Sequence, residues 1–210
     1  ESVLDALVQA GVLKPIKGEQ RKNALPREAR DLGVGSAGGA VRAERHTKQR
    51  LAKAAARGKK VMELAKHTKQ VKKLYTTGVL PAGMWGAEGH GLTVQQLDRL
   101  ERLGANCTGL PAGRCKVSAL AFNYATHMHP RVRYLTSLLK EWHHTWYHDL
   151  RESWEPGDSQ GRRDIRYDAM GAWRKTYDIM VTSPRRWRHV KGPLGAVICS
   201  LLDLGWDPIF

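Results

Sequence analysis

The sequence predicts a mainly α protein: a helical bundle with a second small helical subdomain and little or no sheet. Apolar residues recur at three- and four-residue steps over several long segments, which is typical of amphipathic helices. Segments that alternate apolar and polar residues, as strands do, are scarce. A content of 41% hydrophobic and 26% charged residues, with seven Trp among 210 residues, indicates a folded chain rather than a disordered one.

The first region, residues 1–38, is predicted to comprise a short helix over 2–13 and then a linker or exposed loop. Residues 14–30 are polar and are interrupted by two prolines and a glycine. The segment 33–38 matches the dinucleotide-binding pattern G-x-G-x-x-G. Charged residues precede it, however, and basic residues stand where a ribose-binding acid is needed. We therefore interpret the segment as a flexible turn before a helix.

The second region, residues 39–110, opens with the densest charge cluster of the chain. Residues 41–75 contain twelve Lys or Arg and two Glu, a local net charge of +10 out of +15 for the whole chain. Apolar residues between the charges follow helical spacing, so one helix face would pack and the other would present cations. One helix, or two over about 40–57 and 59–77, fits the pattern, because Gly58 weakens a helix interior by roughly 1 kcal/mol relative to alanine.

Cations at this spacing repel one another, so a compensating polyanion is the favoured explanation of the cluster. RNA or DNA is favoured over an acidic membrane, because the apolar face lacks the Trp and Phe anchors of an interfacial helix. The predicted phosphate-contact set comprises Arg42, Arg45, Lys48, Arg50, Lys53, Arg57, Lys59 and Lys60, and it is extended by Lys66, Lys69, Lys72 and Lys73.

Further helices are predicted along the rest of the chain. Residues 78–91 are rich in glycine and are predicted to form turns. Thr93 and Gln96 then match a capping box that opens a helix ending near Ala105. A Gly/Pro-rich break at 109–116 leads to the third region, residues 116–210. Its predicted helices run over about 130–152, 165–181 and 193–204, and Gly205 ends the last of them.

Few groups in the chain have the spacing of a catalytic or metal site. Cys107, Cys115, His127 and His129 are zinc-compatible ligands, but Cys-x7-Cys and His-x-His are not the spacings of structural zinc sites. The acids are scattered, and neither an Asp-Asp pair, a nucleophile elbow nor a Walker loop is present. We therefore predict no catalytic residue, no metal and no cofactor in this chain. A metal-dependent enzyme that uses the Cys and His groups is the least favoured hypothesis.

Three cysteines without a disulfide pattern suit a reducing compartment. The sequence shows no secretory signal and no apolar run of membrane-span length. We therefore expect an intracellular protein, nuclear or cytoplasmic, that is not secreted and has no membrane partner. Because the chain begins at Glu1 and ends at Phe210 without a polar tail, we also expect it to be a piece of a longer protein.

Several short motifs follow one another between residues 31 and 103. They are Asp31-Leu32-Gly33-Val34, Lys73-Leu74-Tyr75, Leu80-Pro81, Trp85-Gly86-Ala87-Glu88, and the spaced leucines Leu92, Leu97, Leu100 and Leu103. In order and spacing they resemble the region after the palm in the reverse transcriptases of non-LTR retrotransposons, which are RNA-directed DNA polymerases. The Trp-rich segment 116–210, with its Arg-Trp at 186–187 and Gly-Pro-Leu at 192–194, is similar to the C-terminal tail of some such elements.

The resemblance implies that 1–38 includes the end of a palm-like unit and that 39–110 is a thumb-like helical region. It implies a non-catalytic fragment that grips the template–primer duplex of RNA and DNA. The aspartates that hold catalytic Mg in this family lie in the palm, upstream of the residues present here, so the chain alone should not polymerise. Tyr75, Trp85 and the leucines after Thr93 would serve packing. The alternative is a basic intracellular scaffold or interaction domain that docks acidic protein surfaces.

Overall fold

The computed structural model describes residues 28–31, 34–37, 42, 44–110, 115–144 and 159–208, and their fold is mainly α, as predicted. The α-helices are α1 (Arg45–Ala65), α2 (Lys72–Leu74), α3 (Leu80–Met84), α4 (Ala87–His90), α5 (Val94–Asn106), α6 (Lys116–Asn123), α7 (Pro130–His144), α8 (Ser159–Thr182) and α9 (Pro193–Asp203). Short 3₁₀ turns lie at Lys69–Val71, Thr126–Met128 and Arg186–His189, and a π-helical turn lies at Tyr75–Val79. The strands β1 (Glu28–Asp31) and β2 (Val34–Ala37) pair antiparallel.

The pairing of β1 with β2 corrects two predictions for the first region. Residues 28–30, predicted as loop, lie in β1, and residues 34–37, predicted as a flexible turn, form β2. At one end of the pair Asp31 lies opposite Val34. The cross-strand hydrogen bonds pair backbone N–H and C=O groups that water would hydrate in an exposed loop. The predicted helix over 2–13 lies outside the described residues.

The central part of the charge cluster, residues 45–65, folds into one continuous helix, α1. Gly58 lies inside α1 without a break, because the missing side chain leaves room for Leu103 of α5, which a Cβ at this position would overlap. This packing contact outweighs the intrinsic helix cost of glycine. The second predicted helix, over 59–77, is wrong in its extent. The chain leaves α1 after Ala65, and Thr68 then caps a separate 3₁₀ turn.

Residues 78–91, predicted as turns because of their glycines, are mostly helical and form α3 and α4. Leu80 and Met84 of α3 are buried. Gly83 permits a close approach to α5, since a Cβ there would lie 2.8 Å from a methyl group of Leu100. The free energy of burying this face decides the conformation, and the glycines serve helix packing rather than chain reversal.

Tyr75, at the start of the π-helical turn, is fully buried, as its predicted packing role requires. Its hydroxyl donates to the Leu100 carbonyl at 2.7 Å, and its ring centroid lies 5.4 Å from that of Tyr124. The π turn has a local cause. Pro81 has no N–H to continue the α-helical ladder, and the Leu80 amide donates to the Tyr75 carbonyl five residues back.

The start of α5 confirms the capping box read from the sequence. Thr93 Oγ1 accepts from the Gln96 amide at 3.2 Å, and the Gln96 side chain accepts from the Thr93 amide at 2.9 Å. The two bonds satisfy amides that have no partner within the helix. Leu97 and Leu100 are buried and Leu103 packs beside them, which confirms the predicted packing role of these leucines.

The helices α7, α8 and α9 confirm the three predicted helices of the third region, although α8 begins at Ser159, six residues before its predicted start. The first begins at Pro130, and the predicted part beyond His144 lies outside the described residues. Helix α9 ends in a Schellman motif: Gly205, at φ 76°, donates to the Leu202 carbonyl at 3.1 Å, and the next amide donates to Leu201 at 3.0 Å.

A single hydrophobic core runs through the described parts of the second and third regions. Tyr134 of α7 joins them: its hydroxyl accepts from the Leu92 amide at 3.1 Å and lies 2.8 Å from Ser200 Oγ of α9. Trp142 and Trp173 pack with their ring centroids 5.4 Å apart. The predicted boundary near residue 111 therefore interrupts the helices but not the core.

Candidate nucleic-acid interface

Helix α1 places its buried residues and its cations on opposite sides. At about 100° per residue, Thr47, Leu51, Ala54, Gly58 and Val61 form one line, and all five are buried. The exposed half of the helix carries six cations, here called the basic face: Arg45, Lys48, Lys53, Arg57, Lys59 and Lys60. At 1.5 Å per residue the basic face extends over about 22 Å. The structure thus brings half of the predicted contact set onto one surface.

The buried side of α1 fixes the direction in which the basic face points. Thr47 Oγ1 lies 2.6 Å from Nε2 of His90 in α4. Burial, together with the charges of Arg42 and Arg50, lowers the pKa of His90 to about 4, so the imidazole is neutral at pH 7. A neutral ring can share one hydrogen with Thr47 inside the core, where an imidazolium would carry an uncompensated charge.

Two acidic residues flank the basic face. Glu44 lies 2.6 Å from Lys48 Nζ, and Glu63 lies 2.7 Å from Lys66 Nζ. Both pairs are exposed, and pairs of this kind contribute about 0–1 kcal/mol. A phosphate can therefore replace either carboxylate as the partner of the lysine at little cost in free energy.

Arg42 is not on the basic face, and its predicted phosphate contact is wrong. Its side chain is only 3% exposed and donates to the Gly91 carbonyl, while its guanidinium lies 5.1 Å from the ring centroid of Trp187. Its backbone amide donates to the Arg188 carbonyl at 3.0 Å. Burial lowers the pKa of the guanidinium below its usual value, which still leaves it charged at neutral pH. Arg42 therefore joins the start of α1 to the C-terminal region.

Arg50 lies at the edge between the buried line and the basic face. It is half-buried, and its Nη1 donates to the backbone carbonyl of Trp85. Along α1 it falls on the same side as Lys53 and Arg57. Arg50 therefore holds the end of α3 against this side of the basic face.

The remaining four members of the predicted set come after α1 has ended. Lys66 is the residue at which α1 stops, and the chain turns before the 3₁₀ segment that contains Lys69. Lys69 and Lys73 are exposed, whereas Lys72 is half-buried. These residues can extend a charged surface past the end of α1, but they are not part of the basic face.

A second basic segment near the start of α1 was missed. It comprises Arg185, Arg186, Arg188 and Lys191, around the 3₁₀ turn Arg186–His189. Arg185, Arg188 and Lys191 are exposed, whereas Arg186 pairs with Asp203 at 3.1 Å. A surface cavity is lined by the first three arginines together with Glu44. Four cations in seven residues were visible in the sequence, but nothing local showed that they lie beside α1.

Trp85 does not serve packing, contrary to the prediction. Its side chain is 62% exposed at the end of α3, just before Gly86, which turns the chain at φ 69°. The sequence predicts turns in this segment, and a turn prediction does not distinguish a buried from an exposed aromatic side chain.

The zinc-compatible residues do not assemble. Cys107 is buried, with its thiol 3.7 Å from the Gly58 carbonyl, whereas Cys115 is exposed. No three His, Cys, Asp or Glu side chains in the described ranges are placed to share a metal ion. None of the described helices combines the length and apolarity needed to cross a bilayer.

Comparison with family models, with curated proteins and with solved structures gave no match to this chain.

Proposed function

We propose that the basic face binds the sugar–phosphate backbone of a nucleic-acid duplex and that the chain is the thumb-like and C-terminal part of a retroelement-type reverse transcriptase. The observation that carries the proposal is the arrangement of α1, in which six cations share the exposed half of one helix while the opposite side is buried. The helix is thus a fixed support for the cations, and their long side chains can adapt to a phosphate row.

The electrostatics of α1 favour a polyanion as the partner. Like charges at helical spacing repel each other, and a phosphate backbone removes this repulsion while it releases condensed counterions. Each neutralised phosphate adds about 0.9 to the slope of log affinity against log salt on B-form DNA. Such contacts position a duplex without reading its sequence, which fits a part that holds template and primer.

The assignment to a reverse transcriptase is supported by the order of motifs along the sequence. The basic helix precedes the buried Tyr75, α3 and the leucines of α5, in the order that the resemblance requires. In this proposal the chain has no catalytic residue, and Mg would bind to the palm of the parent polymerase rather than to this chain.

Salt-dependent binding to a short RNA–DNA heteroduplex tests the proposal. The variant Lys53→Gln/Arg57→Gln/Lys60→Gln removes three cations from one side of the basic face and keeps good helix formers. The control Lys140→Gln/Arg174→Gln/Lys175→Gln removes the same charge from exposed positions on α7 and α8. We expect the basic-face variant to lower the salt slope by about 2.7 and the control to change it little.

Two results would contradict the proposal. One is the absence of binding to RNA, DNA or heteroduplex by the unaltered protein at low salt. The other is an equal loss of affinity in the two triple variants, which would mean that only net charge matters. Saturable binding to one acidic protein, with no competition by nucleic acid of any sequence, would instead support the scaffold alternative.

A further inference from the structure

Trp85 is a large aromatic side chain held in an exposed position. It is 62% exposed, although tryptophan is on average a well-buried residue. Its backbone is nevertheless fixed, because Arg50 donates to its carbonyl and Gly86 provides the following turn at φ 69°. An exposed ring on a fixed backbone can stack on a flat ligand with little loss of conformational entropy.

A surface cavity of about 480 Å³ lies beside the Trp85 ring. Its size falls within the roughly 300–1,000 Å³ of small-ligand sites. Pro81 and Met84 give it an apolar wall, and Glu88, Arg133 and Ser137 give it a polar one. The combination of an aromatic face, an apolar wall and a polar edge suits a flat heterocycle.

The polar wall of the cavity favours hydrogen-bond donors. The Glu88 carboxylate accepts from Ser137 Oγ, which orients it. Arg133 lines the same wall, and its Nη1 donates to the Thr76 carbonyl at 3.3 Å, so Glu88 is the charged acceptor of this wall. A carboxylate only accepts hydrogen bonds, so the part of the ligand that meets Glu88 is expected to carry N–H groups.

Trp85, on the cavity wall, is linked through its backbone to the helix that carries the basic face. Arg50 joins them, because it contacts the Trp85 carbonyl and lies on the same side of α1 as Lys53 and Arg57. A strand whose phosphates lie along the basic face can therefore place a nearby base against Trp85. The phosphate of a nucleotide would then contact the cations of the basic face, and its neutral base would contact Trp85.

We infer that Trp85 and Glu88 bind an unpaired nucleobase next to the duplex on the basic face, with the base stacked on Trp85 and its N–H groups donating to Glu88. This inference rests on the function proposed above. Guanine, with two adjacent donors on its Watson–Crick edge, matches a carboxylate better than thymine does. The preferred ligand is then a duplex with an overhanging base rather than a blunt duplex.

The test compares heteroduplexes that are blunt, that carry a one-nucleotide guanine or thymine overhang, or that carry an abasic overhang. For the unaltered protein we expect a guanine overhang to improve affinity by roughly 5- to 150-fold over the abasic one, the range of one stacked base. Trp85→Ala should remove this gain, and Trp85→Phe should keep part of it. Glu88→Gln should reduce the preference for guanine over thymine.

Trp206→Ala is the matched control, because Trp206 is also 62% exposed but lies after α9. The inference is overturned if Trp85→Ala keeps the full overhang gain, if Trp206→Ala loses it equally, or if the abasic overhang binds as well as guanine. Equal affinity for guanine and thymine in the unaltered protein would overturn the role of Glu88. If the unaltered protein did not bind blunt duplexes at all, the proposed function itself would be refuted, so the two failures are distinguishable.

Discussion

His90 should make the folded protein less stable as the pH falls from about 6.5 towards about 4. Its pKa is about 4 in the folded protein, against an ordinary value of 6.5. Between these values the unfolded chain binds a proton that the folded protein does not, so the free energy of unfolding decreases with falling pH. At 1.36 kcal/mol per pH unit, the full window amounts to roughly 3 kcal/mol.

The cause of this effect lies in the hydrogen bonds of the ring. Nε2 of His90 faces Thr47 Oγ1 at 2.6 Å, whereas Nδ1 is buried and has no hydrogen-bond partner. Protonation makes both nitrogens donors, so it would bury an unsatisfied N–H close to the positive charges of Arg42 and Arg50.

Urea unfolding followed by tryptophan fluorescence, at several pH values from neutral to about 4, measures the effect. His90→Gln has no imidazole to titrate, so the unaltered protein should lose roughly 3 kcal/mol more than this variant over the window. The control His127→Gln, at an exposed position, should behave like the unaltered protein. The reasoning is refuted if His90→Gln shows the same pH dependence as the unaltered protein, since carboxylates alone would then account for it.

Three further predictions concern stability and thiol reactivity. Glu101 is 3% exposed and contacts Arg131 at 2.5 Å and Lys116 at 3.1 Å. Glu101→Leu should therefore lower the free energy of unfolding, measured in urea, by about 2–4 kcal/mol. A decrease within experimental error would mean that the two cationic partners rehydrate freely. Thr93→Ala removes half of the capping box and should cost about 1 kcal/mol by the same measurement, and no change would show that the cap is dispensable. A thiol reagent should modify one of the three cysteines quickly, Cys115, because it is exposed and backbone amides lower its pKa. Burial raises the pKa of the other two thiols to about 11 and about 12, so fast modification of all three would contradict the buried positions.

The helix ends that the sequence predicted well are those with a local signal. The Thr93 capping box, the proline at the start of α7 and the glycine after α9 act through atoms within a few residues of each other. The amphipathic period of α1 was likewise predictable, because it depends only on the residues within that segment. Such features are readable because the interaction that stabilises them is encoded within one short segment.

The errors have the opposite origin, since they depend on residues far away in sequence. Gly58 and Gly83 are helical because Leu103 and Leu100 occupy the space that their side chains would need. Arg42 is buried because Trp187, far along the chain, covers its guanidinium. Counting charges along the sequence therefore locates the basic cluster of α1. It cannot show that Arg42 is buried or that the arginines near residue 186 lie close to α1.

The shared core has a consequence for dividing the chain. Leu92, between α4 and α5, and Tyr134 of α7 come from opposite sides of the interruption near residue 111, yet they share one core and the Leu92 amide donates to the Tyr134 hydroxyl. Two polypeptides, one ending at Leu110 and the other beginning at Cys115, would each present an uncovered apolar surface complementary to the other. Produced together they should associate in trans, whereas either produced alone should aggregate.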